Sequence, residues 1–476
     1  MSTVLADQHG VPMSGSAEAV ALYDHAIDRL LRFHPDVVSD AEMLTSAHAD
    51  VPMGHALMAY LYLMSTDARD LEVVATAAAN LRALALHQRE RFHSAAIDAW
   101  LAGDWNGASR ILDDLLQAWP ADLLALALGQ QLDFFLGDAG NLRDRVGRSL
   151  PNLDPLHPHV GFVHGMQSFG YEEAGHYALA EEAGLAALDT NRDDVWAIHA
   201  VVHTYEMQGR IDDGLRFLLT RESDWGSGSL FTVHNWWHLA LYALEAGDRA
   251  RALTIYDEQI HNDSSAGVPI EMLDASGLLW RFVLDEAGTG AGTGDGTGER
   301  FAALADAWIP TASATPWYAF NDLHAVMAFV GAGRFDHARE VISRLESYTS
   351  TANGTNVQMT AEIGVPACRA VLAFGEGRHQ DVIADLVPIR RVFQHFGGSH
   401  AQRDALQRTL LESALRAGEL DLARALTAER LNLRDHANYN WAKRAEVLRA
   451  LGDQSAATFA AQQAEQHRRR FASALS

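Results

Sequence analysis

Apolar residues recur at three- and four-residue steps along most of the chain, in runs rich in Ala and Leu, and the alternation expected of strands is scarce. Runs such as LYALEAGDRARALTIYDEQI, AFVGAGRFDHAREVISRLE and SALRAGELDLARALTAERL are broken by Gly-Asp, Gly-Arg or Gly-Glu. Each predicts a helix, a short glycine turn and a second helix, which together make an αα-hairpin. The turn glycines fall at Gly103, Gly137, Gly175, Gly209, Gly247, Gly333, Gly377, Gly418 and Gly452. Five residues beyond the turn a small side chain follows in most of them: Ala108, Ala180, Gly214, Ala252, Ala338, Ala423 and Ala457. Leu142 and Val382 are the exceptions. A small residue there is expected to let the second helix of a hairpin approach the first closely.

The step from Gly103 to Gly137 is 34 residues, and it recurs from Gly175 to Gly209 and from Gly418 to Gly452. Thirty-four is the tetratricopeptide (TPR) period. One such hairpin cannot bury its apolar face alone, so neighbours must stack into a continuous core. The expected fold is all-α: an α-solenoid of degenerate TPR-like helical hairpins forming a right-handed superhelix. The expected organisation is a flexible N-terminus over residues 1–16 and a single superhelical domain over 17–475, with a flexible Gly-rich loop at 287–298. A second break, Thr351 to Thr355, reads as a surface loop.

Charge narrows the partners. Over 476 residues, 37 basic side chains face 62 acidic ones, a formal net charge of −25, and hydrophobic residues make up 48% of the chain. That is enough apolar content for a large core, and the charge repels phosphate backbones and anionic bilayers, so neither nucleic acid nor membrane is an expected partner. The one cysteine, Cys368, can form no internal disulfide. Met1 to Gly15 lacks a basic start and an apolar run, and no stretch of 18 apolar residues occurs, so the expected location is the cytoplasm.

Repeat geometry turns register into direction. With the turn glycine at repeat position 15, positions 2, 5, 9 and 12 of the first helix are expected to face the concave side. Before Gly209 these are Trp196, His199, His203 and Glu206. Before Gly247, His234 holds position 2 and His238 lies one step from position 5; before Gly175, His164 is also one step off. A later hairpin contributes Asp322 and His324. Imidazoles at i and i+4 can reach one metal ion and a carboxylate one turn on can complete its shell, or the same set can act as general acids and bases. HAVVH and HNWWH both lack the Glu that follows the first His in zincin metalloproteases, so that hydrolytic assignment is removed. Trp237 and its aromatic neighbours read as helix packing or as the apolar wall of a ligand pocket.

Farther on, PIRRVFQHFGGSHAQRD places a Gly397-Gly398 turn before Ser399, a candidate cap for the next helix. Arg403 in its first turn opposes the helix dipole, so a partner or ligand carboxylate is expected to compensate it.

Taken together, HGMQSFGYEEAGHYALAEEAGLAAL, WAIHAVVHTYEMQGRIDDGLRFL, HNWWHLALYALEAGDRARALTIYD, FNDLHAVMAFVGAG, GVPACRAVLAF and GGSHAQRD resemble the tetratricopeptide repeat protein 38 family. The resemblance runs from about His159 to Asp404. It implies a degenerate TPR superhelix over the whole protein, with His164, His199, His203, Glu206, His234, His238, Asp322, His324, Gln402, Arg403 and Asp404 at matching motif positions. It carries no reaction. The function expected is therefore binding of a small polar molecule or a metal ion in a His- and acid-lined pocket. A divalent metal is the candidate cofactor, on His199, His203, His234 and His238, with acid/base or metal-assisted hydrolysis as the chemistry. Glu206 and Asp322 would orient or deprotonate, and Arg403 would hold an anionic group. The alternative is a non-catalytic scaffold that takes a peptide in its concave groove, and homo-oligomerisation is compatible with either. An open channel would favour the scaffold, and a capped cavity with converging imidazoles the small-molecule site.

Overall fold

All nine turn glycines adopt positive φ, between 68° and 86°, a region open to glycine and costly for other residues. At Gly209 the glycine N–H donates to Glu206 O at 3.0 Å and the Arg210 N–H to Tyr205 O at 2.8 Å, and the same pair of bonds closes the helices before Gly247, Gly333 and Gly418. This is the Schellman arrangement, which satisfies carbonyls that a helix end leaves open. Where Asp follows the glycine it caps the next helix: Asp104, Asp138 and Asp248 accept from Gly107, Asn141 and Arg251 N–H at 2.8, 2.9 and 3.0 Å. The Gly-Asp signature is thus a C-cap and an N-cap side by side.

The computed structural model describes residues 4–285 and 296–475. Its hairpins include Gln88–Leu101 with Trp105–Ala118, Val160–Glu173 with Tyr177–Thr190, Val195–Met207 with Ile211–Thr220, Ala319–Gly331 with Phe335–Thr351, and His400–Arg416 with Leu420–Leu433. Successive hairpins pack on each other, as the Val160–Glu173 helix does on Val195–Met207. One cluster of buried apolar side chains reaches from Met13 to Phe471. The chain is an all-α solenoid of TPR-like hairpins, and no helix among the described residues is long and apolar enough to cross a membrane.

Small residues of the second helix, Gly214 five beyond its turn and Gly184 nine beyond its own, serve the neighbouring repeat. A Cβ on Gly214 would overlap the ring of Tyr242, which belongs to the following hairpin, and the Tyr242 hydroxyl donates to Val202 O at 2.6 Å. Gly184 likewise faces Val201 of the next hairpin. The close approach is between repeats.

Early and late hairpins meet across the coil. Thr355 N–H donates to Gly103 O at 2.8 Å, and Trp105 N–H donates to Thr355 Oγ1 at 3.1 Å, 250 residues away in sequence. Asn321 donates to Thr66 O at 3.0 Å, Arg403 pairs with Glu173 at 3.2 Å, and Arg470 with Asp212 at 2.8 Å. Gly137 lies against Gln394 O and Gly397 against Phe135 O, with no room for a Cβ at either. These contacts close the concave side. They also correct the reading of Thr351 to Thr355 as a surface loop: Gly354 packs on Gly103, and a helix restarts at Thr355.

The N-terminal expectation changes too. Val4–Ala6 and Pro12–Ser14 pair as an antiparallel hairpin, with Leu5 opposite Met13. Met13 is fully buried, Ser14 N–H donates to Glu90 Oε1 at 2.9 Å, and Asp7 pairs with buried Arg89 at 3.1 Å. Residues 4–16 are therefore anchored by apolar burial and a buried ion pair. Of the Gly-rich segment at 287–298, residues 287–295 lie outside the described residues, and Thr297 already begins a helix.

Gly214→Ala should lower stability by about 1–3 kcal/mol, the usual cost of overpacking a close contact, read as a fall in the urea midpoint. Ala252→Gly, at the equivalent position of the next hairpin, should instead show the smaller cost of about 1 kcal/mol of an extra helical glycine.

Candidate functional site

HAVVH occupies the Val195–Met207 helix, whose N-terminus is fixed by Asp194 accepting from Trp196 and Ala197 N–H, both at 3.0 Å. Four-residue spacing sets His199 and His203 on one face, with ring centroids 4.3 Å apart. HNWWH in the adjacent Thr232–Glu245 helix brings His234 and His238 against them. His234 Nε2 lies 3.1 Å from His199 Nε2, and the His203 and His238 rings are 4.4 Å apart. One nitrogen from each of the four rings falls within 4.8 Å of all the others. His199, His203 and His238 are buried and His234 is partly so.

Burial discourages charge on these rings. It holds His199 and His238 well below the ordinary histidine value, with the neighbouring imidazoles adding to the effect, and it lowers His203 to about 4 against the opposing pull of Glu206 and Glu173. Neutral imidazole is the state that ligates a metal. Several sealed ring nitrogens have no partner within the chain: His199 Nδ1, both nitrogens of His203, and His238 Nε2. Buried polar atoms are almost always paired, so this concentration marks a place where a further group belongs.

Carboxylates stand behind the rings. His234 Nδ1 meets Asp274 Oδ2 at 2.7 Å, His238 Nδ1 meets Glu206 Oε2 at 3.0 Å, and Glu172 Oε2 is 3.6 Å from His203 Nδ1. Outer carboxylates of this kind orient ligating imidazoles and raise their basicity. Burial pushes Glu172 well above the usual carboxylate range, aided by Glu173; burial opposes ionisation of Glu173 as well, but His400 and Arg403 hold it lower. For a tetrahedral ion with bonds of about 2.0–2.1 Å, the four ring nitrogens need only a modest inward turn. The donor set fits a first-row transition ion far better than Mg2+ or Ca2+, which take oxygen.

Beside the rings lies a cavity of about 70 Å³, bordered by His199, His234, Asp274 and Gln402 and walled by Phe169, Trp196, Phe231 and Phe320 among others. Trp237 stacks on His234 with ring centroids 5.2 Å apart. Leu230 and Ile270, 50% and 42% exposed, stand at its border. The cavity admits a small head group, with any larger body left toward that apolar rim.

Seven of the expected residues gather here: His199, His203, His234, His238, Glu206, Trp237 and Gln402, whose amide donates to Asp274 Oδ1 at 3.4 Å. Five have other surroundings. Asp322 lies near Arg344 and Cys368 instead, one step to the N-terminal side of the inward position before Gly333. His324 packs on Phe320 and its Nδ1 is 2.7 Å from Phe320 O. His164, half-buried, contacts Gln167 at 3.4 Å; it lies one step to the N-terminal side of the inward position and turns off the shared face, whereas His238, one step to the C-terminal side, stays on it. Arg403 is spent internally: it donates to Gly397 O and Gly398 O and pairs with Glu173, which is the carboxylate its place in the helix calls for, so no fork is left for an anionic ligand. Asp404 is clasped by Arg408 at 2.6 Å and Arg430 at 2.8 Å in a buried ion-pair network. Ser399 does cap its helix, in a reciprocal box with Gln402.

Glu172 and Asp274 were not among the expected residues. Counting three back from Gly175 reaches Glu172, just as three back from Gly209 reaches Glu206, so the register held the signal. Asp274 lies between Gly247 and Gly333, where no turn glycine sets a register.

The chain is thus a TPR-like repeat protein with a buried four-histidine cluster. No protein-family model matches it. Among solved structures it is similar to a monomeric IFIT1 mutant with Gppp-AAAA (11% identity, TM-score 0.42, 95% of each chain covered). It is similar also to the human IFIT1 dimer with m7Gppp-AAAA (11%, 0.37, 95% of this chain and 90% of that one) and to yeast Tom70 (12%, 0.33, 94% and 92%). With likeness this slight, the fold assignment rests on the chain's own hairpins.

Asp322 gives a pH test that leaves the cluster untouched. Burial pushes its carboxyl up to about 7, with Arg344 opposing, and Oδ2 is sealed without a partner. The folded chain keeps this proton while the unfolded chain loses it above about 3.9, so stability falls as pH rises from about 4 to 7 and then levels. Asp322→Asn should remove that loss. Its stabilising effect by urea denaturation should be greater at pH 7.5 than at pH 4.5 by about 1–3 kcal/mol, with metal binding unchanged.

Proposed function

We propose that this TPR-like protein binds a first-row transition metal on His199, His203, His234 and His238 and presents it to a small molecule entering the adjoining cavity. The observation that carries the reading is the convergence of four imidazoles, three of them sealed in the interior, backed by Asp274, Glu206 and Glu172 and retaining unpartnered nitrogens. With four imidazoles on the ion, a ligand carbonyl or a water would have to enter as a fifth ligand, and there the ion would supply Lewis-acid polarisation or activation. Around it the chain does the rest: Asp274 and Glu206 fix the tautomers of His234 and His238, the aromatic wall keeps the dielectric low, and Gln402 offers the cavity an amide. Metal-assisted hydrolysis of a small polar substrate is the reaction class this arrangement suits.

Kinship with the tetratricopeptide repeat protein 38 family belongs to the same proposal. Its support is that HAVVH and HNWWH supply the cluster while GGSHAQRD brings Gln402 to Asp274.

A second reading, a scaffold for a peptide segment, is favoured by the exposed Leu230 and Ile270 at the cavity border. It accords with the TPR-like architecture and would place an apolar side chain of a partner in the mouth. The reading against nucleic acid rests on the charge of −25 alone, since IFIT1, to which this chain is similar, is described with capped RNA oligonucleotides.

The test is metal analysis after purification without chelator, followed by Co2+ titration of the metal-free protein. The expected result is an absorption band from a nitrogen-ligated Co2+ that is lost, with at least a tenfold fall in affinity, in His203→Ala and retained in Leu230→Ser. An unchanged titration in His203→Ala overturns the metal site. Peptide capture abolished by Leu230→Ser but indifferent to His203→Ala would favour the scaffold.

A further inference from the structure

The N-terminal hairpin carries histidine chemistry remote in sequence from the interior cluster. His9 lies in its turn, where Asp7 Oδ1 accepts the N–H groups of His9 and Val11, both at 3.0 Å. Gly10 turns the chain with φ of 76°. Asp7 is itself tied to buried Arg89 at 3.1 Å, so the turn is pinned to the Gln88–Leu101 helix. Two more histidines approach from the bend preceding Val160–Glu173. His9 Nε2 lies 3.0 Å from His159 Nδ1, and the His157 ring stands 4.8 Å from His9 and 4.9 Å from His159, centroid to centroid. One nitrogen of each ring is within 4.8 Å of the other two. His159 Nε2 faces Asp28 Oδ1 at 3.1 Å.

We propose that His9, His157 and His159 form a second metal site, for a divalent transition ion such as Zn2+, that locks the N-terminal hairpin to the body of the solenoid. Three imidazoles with a carboxylate behind one of them are the ligand set of an open zinc site, in which water takes the fourth position. His9 and His157 are half-buried, so ion and water can reach them. The nitrogen set excludes Mg2+ and Ca2+ as the preferred ions. A hydrogen-bond relay from His9 through His159 to Asp28 would account for two of the rings, but it does not use the His157 ring that stands beside both. His157 Nδ1 accepts the His159 N–H at 3.1 Å, a contact that ligation through Nε2 would keep, so ligation costs the His9–His159 hydrogen bond. Each ligand comes from a rigid support: an anchored turn for His9, and the start of a helix for His159. An ion here joins segments about 150 residues apart, as the His9–His159 pair already does.

The site is independent of the interior cluster, and the experiment separates them. Full-length protein is stripped of metal, titrated with Zn2+ alone, and followed by bound-metal stoichiometry and by hydrogen exchange of residues 4–14. The expected result is one equivalent lost in His9→Ala and in His157→Gln, while His203→Ala retains that equivalent. Zn2+ should slow exchange in residues 4–14 at least tenfold in the parent chain and leave it unchanged in His157→Gln, a solvent-accessible substitution that spares the core. Unchanged stoichiometry in His157→Gln, or exchange in residues 4–14 indifferent to Zn2+ in the parent chain, overturns the proposal, whatever His203→Ala does.

Discussion

The left-handed glycine at each hairpin bend is the constraint on which the rest of this structure depends. Because only one backbone shape closes the first helix and opens the second, the residues counted back from the bend acquire fixed directions. Three residues before it stand Phe134, Glu172 and Glu206 in three successive-register hairpins. Phe134 borders the cavity, Glu172 reaches His203 and Glu206 reaches His238. Both carboxylates serve a histidine of the following repeat. Repetition of a bend has therefore become repetition of a carboxylate–imidazole pairing across the repeat interface.

Closure of the coil then changes what those inward groups experience. Contacts such as Thr355 with Gly103 and Arg403 with Glu173 bring late hairpins across early ones, and the inward face becomes interior. Water leaves, and a polar group there must find a partner or stay neutral. The chain answers with arginine-centred pairings, Asp404 with Arg408 and Arg430 among them. Replacing buried pairs by apolar residues is often neutral for stability, so the worth of those that join early to late hairpins, Arg403 with Glu173 and Arg408 with Glu245, lies more in fixing how those hairpins meet. The acidic excess behind the net charge of −25 extends into this interior, where buried Asp and Glu outnumber buried Arg among the described residues.

How much was legible follows from the same logic. Helix, bend and repeat could be read because glycine, capping Asp and apolar period are local signals. His199, His203, His234, His238 and Glu206 could be read because each lies close before a marked bend. Where the marker is missing, as between Gly247 and Gly333, Asp274 could not be placed, and one step to the N-terminal side of the register turned His164 and Asp322 elsewhere, whereas one step to the C-terminal side left His238 in the cluster. Arg403 and Asp404 are candidates for chemistry by sequence, yet they are consumed by partners: Asp404 by Arg408 and Arg430 of its own hairpin, and Arg403 by Glu173, a contact that arises only when the coil closes. The N-terminal strands escaped for a related reason. Three-residue strands have almost no pattern, and Met13 is buried by helices that no local signal connects to it.

Proton placement explains why four rings rather than two are needed to define the interior site. Asp274 takes the Nδ1 proton of His234, and Glu206 that of His238, so both rings turn an Nε2 lone pair inward. His199 Nε2, 3.1 Å from His234 Nε2, must then carry a proton toward that lone pair, which leaves its own Nδ1 as a sealed acceptor with nothing to accept from. His203 has two sealed nitrogens and a protonated Glu172 as its nearest acid. No assignment of protons over these four rings pairs every nitrogen, because the carboxylates can satisfy only the outward ones. A cation held by one nitrogen of each ring, as proposed above, would take up the inward lone pairs, while Asp274 and Glu206 would hold the outward protons of His234 and His238.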